Sequence, residues 1–211
     1  MKTDDLIELL AQDAPVRFRL GRALTIALCI GVVVSAAVLL STIGVRHNIS
    51  QALQTVRVEF KIIVTFALAL AASNLVFKIA KPGVDIRSAM RNLLIPLGLL
   101  VVGVAAELFV LPTGRWTAAA AGRYSAFCLF FVPLLSLPPF IGFMLALKSG
   151  APENSGFAGS VAGLAASGIG AAIYAWHCPD DSPLFVAVWY LAAIAGVTAL
   201  GYFLGRRWLA W

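Results

Sequence analysis

Charge is what this chain has least of. Only 12% of its 211 residues are Asp, Glu, Lys or Arg, against about 25% in an ordinary soluble domain. With 61% hydrophobic residues beside so few ionised ones, the chain cannot clothe a water-facing exterior, and a soluble globular domain is excluded. Cysteine is also sparse. The three thiols, Cys29, Cys128 and Cys178, contain no Cys-x-x-Cys pair, which excludes a disulfide scaffold, a zinc ribbon and a thioredoxin-type redox pair. There is no nucleophile–base pair at a known spacing, no phosphate-binding loop and no His/Glu metal box on a helix. No catalysis and no cofactor are therefore expected. The opening residues are acidic rather than basic, and the first apolar run is too long for a signal-peptide core, so that run is expected to stay in the membrane. The net charge of +6 invites a nucleic-acid reading. The basic residues flank apolar runs instead of forming a patch, so direct DNA or RNA binding is rejected.

What is present is a succession of apolar runs, each near the roughly 20 residues that a helix needs to cross a hydrocarbon core. Six are read, at about Ala23–Ile43, Phe60–Phe77, Leu93–Leu111, Tyr124–Leu147, Phe157–Trp176 and Leu184–Leu204. The fold class is an all-α integral membrane protein, a bundle of six transmembrane helices in contact with the lipid bilayer. Three parts are expected: a cytoplasmic segment 1–22, a transmembrane domain 23–205 and a cytoplasmic tail 206–211. Pro133 and Pro138-Pro139 lie at mid-depth in the fourth run, where they free carbonyls that neighbouring helices must cover. Gly159-x-x-x-Gly163 in the fifth permits close helix contact. The connector from Val45 to Glu59 repeats Ile49, Leu53, Val56 and Phe60, a spacing that suits a short amphipathic helix.

The leader 1–16 is different in kind. Leu6, Leu9 and Leu10, with Ile7 alongside, repeat at helical spacing, while Asp5 and Glu8 take the other side. Thr3 or Asp4 can cap this amphipathic helix, and Pro15 stops it. At about ten residues it is marginal alone in water and wants a partner.

Orientation follows from the basic residues. Eleven Lys and Arg fall on the side holding both termini and five on the other, so both termini are expected to be cytoplasmic. Cys128 then lies roughly 7 Å of helix rise below the outer interface, and Cys178 lies just beyond the outer end of the fifth span. Two thiols 50 residues apart in sequence thus reach one membrane face. Each can be a small hydrophobe, as Cys29 is expected to be. Together, in an oxidising compartment, they can form a disulfide or capture a soft metal ion. His177 can lower the Cys178 pKa and add an imidazole ligand. Glu107, an intramembrane carboxylate, is a functional candidate by default or a group paired with Arg115 or Arg123 near the helix end.

The densest polar punctuation of the second half is Trp176-His177-Cys178-Pro179-Asp180-Asp181-Ser182-Pro183. Its two prolines demand a turn. Ser182-Pro183 reads as N-cap and first helical residue, with Asp180 and Asp181 facing the positive end of the following helix dipole.

This stretch, from Tyr174 through Leu184-Phe185 to Trp189-Tyr190, occurs together with the opening Met1-Lys2-Thr3-Asp4-Asp5-Leu6-Ile7 and with Gly150-Ala151-Pro152 before a Gly/Ala-rich span. In these passages the chain resembles the NrsF family of six-span bacterial inner-membrane anti-sigma factors. The resemblance implies a regulator that holds an extracytoplasmic-function sigma factor inactive at the membrane. It implies a sigma-binding surface including Thr3, Asp4, Asp5, Leu6, Ile7, Leu9 and Leu10, and a pair of sensing thiols at Cys128 and Cys178, with His177, Asp180 and Asp181 in support. An oxidant or a metal would be the stimulus, and any metal would be held by Cys128 and Cys178. A small transporter for a metal or drug cation is the alternative from another class, suggested by the kinked spans, Glu107 and the glycine-rich span.

Overall fold

The structure, a computed structural model, describes residues 20–81, 83–150 and 152–210. The leader residues Thr3, Asp4, Asp5, Leu6, Ile7, Leu9 and Leu10 lie outside the described residues. Six helices are long and apolar enough to cross a membrane: α1 Leu20–Thr42, α2 Val56–Ile79, α3 Arg87–Val110, α4 Ser125–Lys148, α5 Ser155–Tyr174 and α6 Pro183–Trp208. Among the described residues there is no strand; the helices are joined by turns and short irregular stretches.

Local chemistry explains most of the boundaries. Helix α1 stops where Gly44 enters the left-handed region at φ 66° and its N–H turns back to the Leu39 carbonyl at 2.8 Å, a glycine C-cap. The expected amphipathic helix in the first connector is reduced to one turn, Ile49–Ala52, because α2 starts at Val56 and takes up the rest. Helix α3 breaks at Leu93, between Arg87–Asn92 and Leu94–Val110. Pro96 cannot donate to Asn92, and its ring crowds that carbonyl, so a new helical segment begins there. Asn154 caps α5, accepting from the Phe157 N–H at 2.9 Å. Ser182 caps α6 as its sequence suggested, with Pro183 in the first turn and the Leu184 N–H on Ser182 Oγ at 3.2 Å. Early in α6, Val186–Tyr190 forms a π-turn.

The prolines of α4 are accommodated by a neighbour. Pro139 leaves the Leu135 carbonyl without its helical donor, and the buried Ser35 hydroxyl of α1 donates to that oxygen at 2.7 Å. This is the cover that a helix in lipid requires.

Helix α5 is the most buried of the six and the axis of the bundle, packed on α6, α4 and α2. Its small residues make this possible. A Cβ added at Gly159 would collide with the Gly201 carbonyl and the Gly205 backbone of α6, so the two backbones touch directly, as small-residue motifs permit. Helix α3 sits at the edge, mainly against α2, and turns Val102, Phe109 and Val110 outward.

Buried apolar residues form two clusters. One lies toward the end holding Leu20 and Trp208, and contains Leu24, Leu75, Phe143 and Leu147. The other, toward the opposite end, contains Cys128, Tyr174, Cys178, Phe185 and Tyr190.

Candidate functional site

The strap joining α5 to α6 is built by the exhaustion of a helix. Past Tyr174 the backbone keeps turning, and the N–H groups of His177 and Cys178 both reach the Tyr174 carbonyl, at 2.9 and 3.1 Å. Pro179 has no N–H to continue the series, and the chain runs on to Ser182. Cys178 is carried inward on this last turn and is fully buried, as is Cys128 on α4. The two thiols share one apolar cluster and are both free. Cys29 is exposed on α1 and apart from them.

What holds the strap is a set of ionised side chains whose pairing was not legible in advance. Lys61, one turn into α2 and 0% exposed, points its ammonium into the strap. Its Nζ donates to the carbonyls of Cys178 (2.7 Å) and Asp180 (3.3 Å) and to Asp181 Oδ1 (2.5 Å). Asp181 Oδ2 receives Arg46 Nη1 at 2.9 Å, and Arg46 Nε is steadied by Asn48 Oδ1 at 2.9 Å. Every donor of the buried ammonium is thereby used, which is the condition for burying such a charge.

Asp180 has a separate task. Its Oδ2 accepts from the backbone N–H groups of Arg123 (2.9 Å) and Tyr124 (2.8 Å), capping the start of α4 from a distant part of the chain. Gly122 makes the approach possible. It sits at φ 60°, and a Cβ there would strike the Phe185 ring and Asp180 Oδ2. Asp180 and Asp181 were expected at the dipole of α6. Instead Asp180 serves the α4 N-terminus and Asp181 two cations, because the extended strap carries both side chains away from Pro183.

Glu107, 7% exposed, pairs with neither Arg115 nor Arg123. Arg57 of α2 reaches it through Nε (3.2 Å) and Nη2 (3.1 Å), and the Ser182 hydroxyl donates to its Oε1 at 3.2 Å. The expected partners belong to the α3–α4 connector, whereas α2 packs directly alongside α3.

His177 also lies elsewhere than expected. Its Nδ1 is 2.9 Å from the Gly44 carbonyl. A carbonyl can only accept, so that nitrogen carries the proton, and the imidazole pins the strap to the end of α1. Burial raises the Cys178 pKa, and Lys61, not His177, is the charge that opposes this. Among the described residues no group of three His, Cys, Asp or Glu is placed to hold a metal ion. The carboxylates and the imidazole near the thiols are already committed. Two free thiols in one buried cluster remain, and exchange between dithiol and disulfide is the chemistry that such a pair has to offer.

Two further groups escaped the sequence reading. The hydroxyls of Tyr174 and Tyr190 are buried without a hydrogen-bond partner, although their rings pack 6.0 Å apart in the same cluster as the thiols. Tyr190 belongs to the π-turn, a feature that often marks functional positions. The signal for Lys61 was available, since a lysine inside an apolar run needs an acid, and Asp180-Asp181 is the conspicuous acidic pair near a membrane face. A recess of about 400 Å³, lined by Thr55, Arg57, Glu107, Asp180, Asp181 and Ser182 among others, opens onto the strap.

The NrsF family profile, described as negative regulator of sigma F, matches residues 10–211. A protein of Azospira oryzae named probable anti-sigma-F factor NrsF is 31% identical over 216 residues, covering all of both chains. One of Caulobacter vibrioides named anti-sigma-F factor NrsF is 30% identical over 219 residues, again covering all of both. No solved structure matches the chain. With a family profile spanning nearly its whole length and relatives aligned from end to end, the chain belongs to the NrsF family.

Proposed function

We propose that this protein is a membrane-bound anti-sigma factor. It sequesters an extracytoplasmic-function sigma factor at the bacterial inner membrane and releases it when the thiol pair is oxidised from outside. The observation that carries the sensing half is the meeting of Cys128 and Cys178, distant in sequence, as free thiols in one buried cluster. The partner half rests on the names of the full-length relatives. In this reading both termini are cytoplasmic. The segment 1–22 supplies Thr3, Asp4, Asp5, Leu6, Ile7, Leu9 and Leu10 as the contact surface, an acidic amphipathic helix suited to capturing a basic DNA-binding protein. The strap faces the exterior, with His177, Asp180 and Asp181 holding its shape. Oxidation joins α4 to the α5–α6 strap, the bundle repacks, and the inner surface loses its partner. A coupling of about 1–3 kcal/mol changes the affinity about 5–150-fold.

Disulfide formation is favoured over metal capture because, among the described residues, no third His, Cys, Asp or Glu is placed to hold a metal ion with the thiols. Glu107, on which a transport reading leaned, is engaged by Arg57 and Ser182, which favours a structural part for it. Co-purification from membranes tests the proposal. The intact chain retains a sigma factor, a chain lacking residues 1–16 loses it, and C128S/C178S retains it even after oxidant treatment. An intact chain that retains none, or a double variant that still releases on oxidation, defeats the reading.

A further inference from the structure

The two thiols are not equivalent, and their difference lies in what surrounds each. Cys128 sits on α4 in the regular part of the helix, its N–H bonded to the Tyr124 carbonyl at 2.9 Å. Its cluster includes the apolar Val132, Leu135 and Phe185, and although the Lys61 charge reaches it too, all three Lys61 donors are spent on the strap. Cys178 sits on the strap, outside the helices, with the ammonium of Lys61 on its own carbonyl. Its Sγ lies 3.8 Å from the Asp180 carbonyl, and the Tyr190 hydroxyl, which has no hydrogen-bond partner, belongs to the same cluster and acts in favour of the ionised sulfur. Disulfide chemistry requires one sulfur to act as thiolate. A thiolate generated in a dry interior needs a fixed cation or a donor beside it.

Resting on the reading of Cys128 and Cys178 as the sensing pair, we propose that Cys178 is the attacking thiol and Cys128 the resolving one, with Lys61 and Tyr190 as positioning residues that make the assignment. Lys61 holds the strap turn through the Cys178 and Asp180 carbonyls and Asp181, and brings a positive charge to the site. Tyr190, placed by the π-turn, offers a hydroxyl that is free to donate. The charged and titratable groups facing Cys178 come from every side of the site: Lys61 of α2, Cys128 of α4, Tyr174 of α5, Tyr190 of α6, and Asp180, Asp181 and Arg46 of the connections. The side chains of Lys61 and Tyr190 favour its ionised form, while the charge of the Asp180 carboxylate opposes it.

The chemistry balances with a hydroperoxide, ROOH, as oxidant. The Cys178 thiol loses its proton, and the thiolate attacks the distal oxygen. The S–O bond forms, the O–O bond breaks, and RO⁻ leaves to take up a proton as ROH. The Cys128 thiol then attacks the sulfenic sulfur. The S–S bond forms, and hydroxide leaves with the Cys128 proton as water. Two electrons pass from the thiol pair to the peroxide, yielding one disulfide, ROH and water.

Burial works against the first step. It holds the Cys178 thiol neutral despite Lys61, so reaction requires the strap to lift toward the recess beside Asp180, Asp181 and Ser182. The contacts of Lys61 therefore both prepare the thiol and restrain the motion that exposes it.

The test uses the full chain in detergent with cumene hydroperoxide as oxidant and a dimedone-type sulfenic-acid trap read by mass spectrometry. In C128S the trap is expected on Cys178; in C178S, Cys128 is expected to label at least tenfold more slowly. Disulfide formation, followed by maleimide mass shift, is expected to fall at least fivefold in Y190F. It is expected to fall also in K61M/D181N, which removes both charges of the Lys61–Asp181 pair and leaves Arg46, the second cation on Asp181, an amide oxygen to donate to. In C128S carrying K61M/D181N, the pH midpoint of Cys178 alkylation is expected to move upward, a change that a merely structural role would not produce. Preferential trapping at Cys128, or an unshifted midpoint in a double variant that elutes and melts as the parent does, overturns the assignment. Should the double variant not fold, the trapping comparison between the two single-cysteine variants decides alone. A parent chain that forms no Cys128–Cys178 disulfide overturns the underlying sensing reading as well. A disulfide formed through attack by Cys128 overturns this inference only.

Discussion

Helix α2 carries a lysine near each end, and the two live in different worlds. Lys61 is fully buried and commits its ammonium to two carbonyls and Asp181. Lys78 is half-buried and, among the described residues, donates to the Ser88 hydroxyl at 2.6 Å and to no carboxylate. The ends they belong to differ in the same way. All three ion pairs among the described residues gather at the strap end, around Asp181 and Glu107. At the opposite end, a cavity of about 220 Å³ stays open between the residues around Lys81 and those around Asn154. A bundle in lipid gains no hydrophobic drive for helix association, so polar locks and small-residue contacts decide which parts are stiff. The strap end, where the thiols sit, is locked. The end that holds Leu20 and Trp208 is looser, with an open cavity where the other end has ion pairs.

Substitutions can break this contrast, beginning with the largest effect. K61M leaves Asp181 and the strap carbonyls without their buried cation. Breaking a buried pair costs about 3–5 kcal/mol, so a sharp loss of stability is expected in denaturation from mixed micelles. G159L comes next. It forces a side chain into the Gly201 and Gly205 backbone, and overpacking costs about 1–3 kcal/mol or more. The same measurement reads it, together with earlier dissociation of α6 in limited proteolysis. D180A removes a cap shared by two N–H groups at the start of α4, for about 0.5–2 kcal/mol. Hydrogen exchange at Arg123 and Tyr124 should rise more than elsewhere. K78M should cost no more than about 1 kcal/mol, the net worth of one hydrogen bond. Equal losses for K61M and K78M would remove the distinction between the two ends.

The faintest signature lies in pH. Cys178 is held neutral by burial, with its folded pKa above the ordinary thiol value. Its contribution to stability is therefore complete below about pH 8.5, the unfolded thiol value, and declines as pH rises through and beyond it. At pH 8.5 Cys178 should alkylate more slowly in the folded chain than in the denatured one. Equal rates would place the thiol in water.

Much of the architecture could be read from residues alone because lipid leaves few options. Apolar runs of sufficient length must be helices, so the number and order of the six spans were legible, with boundaries displaced by a few residues at Ala23, Phe60 and Leu204. The Ser182-Pro183 cap and the close contact at Gly159 were legible for the same reason: each depends on a backbone rule that acts locally. The covering of the carbonyl freed by Pro139 was foreseeable as a need, but not as the work of Ser35. The failures share a cause. Glu107 was assigned to cations near it in sequence, Asp180 and Asp181 to the nearest helix, and His177 to its neighbour Cys178. Each found a partner across the bundle instead, on a helix or connector whose lateral position no local pattern encodes.

Sequence by itself determined that this chain is a six-helix apolar bundle with one polar strap, since span length and proline chemistry act over a few residues at a time. Only the tertiary structure decided that Lys61 is buried beneath the strap and that Cys178 shares a buried cluster with Cys128. A charge or a thiol in a nearly dry interior takes whichever partner packing brings within about 3 Å for a hydrogen bond, and packing is a property of all six helices together.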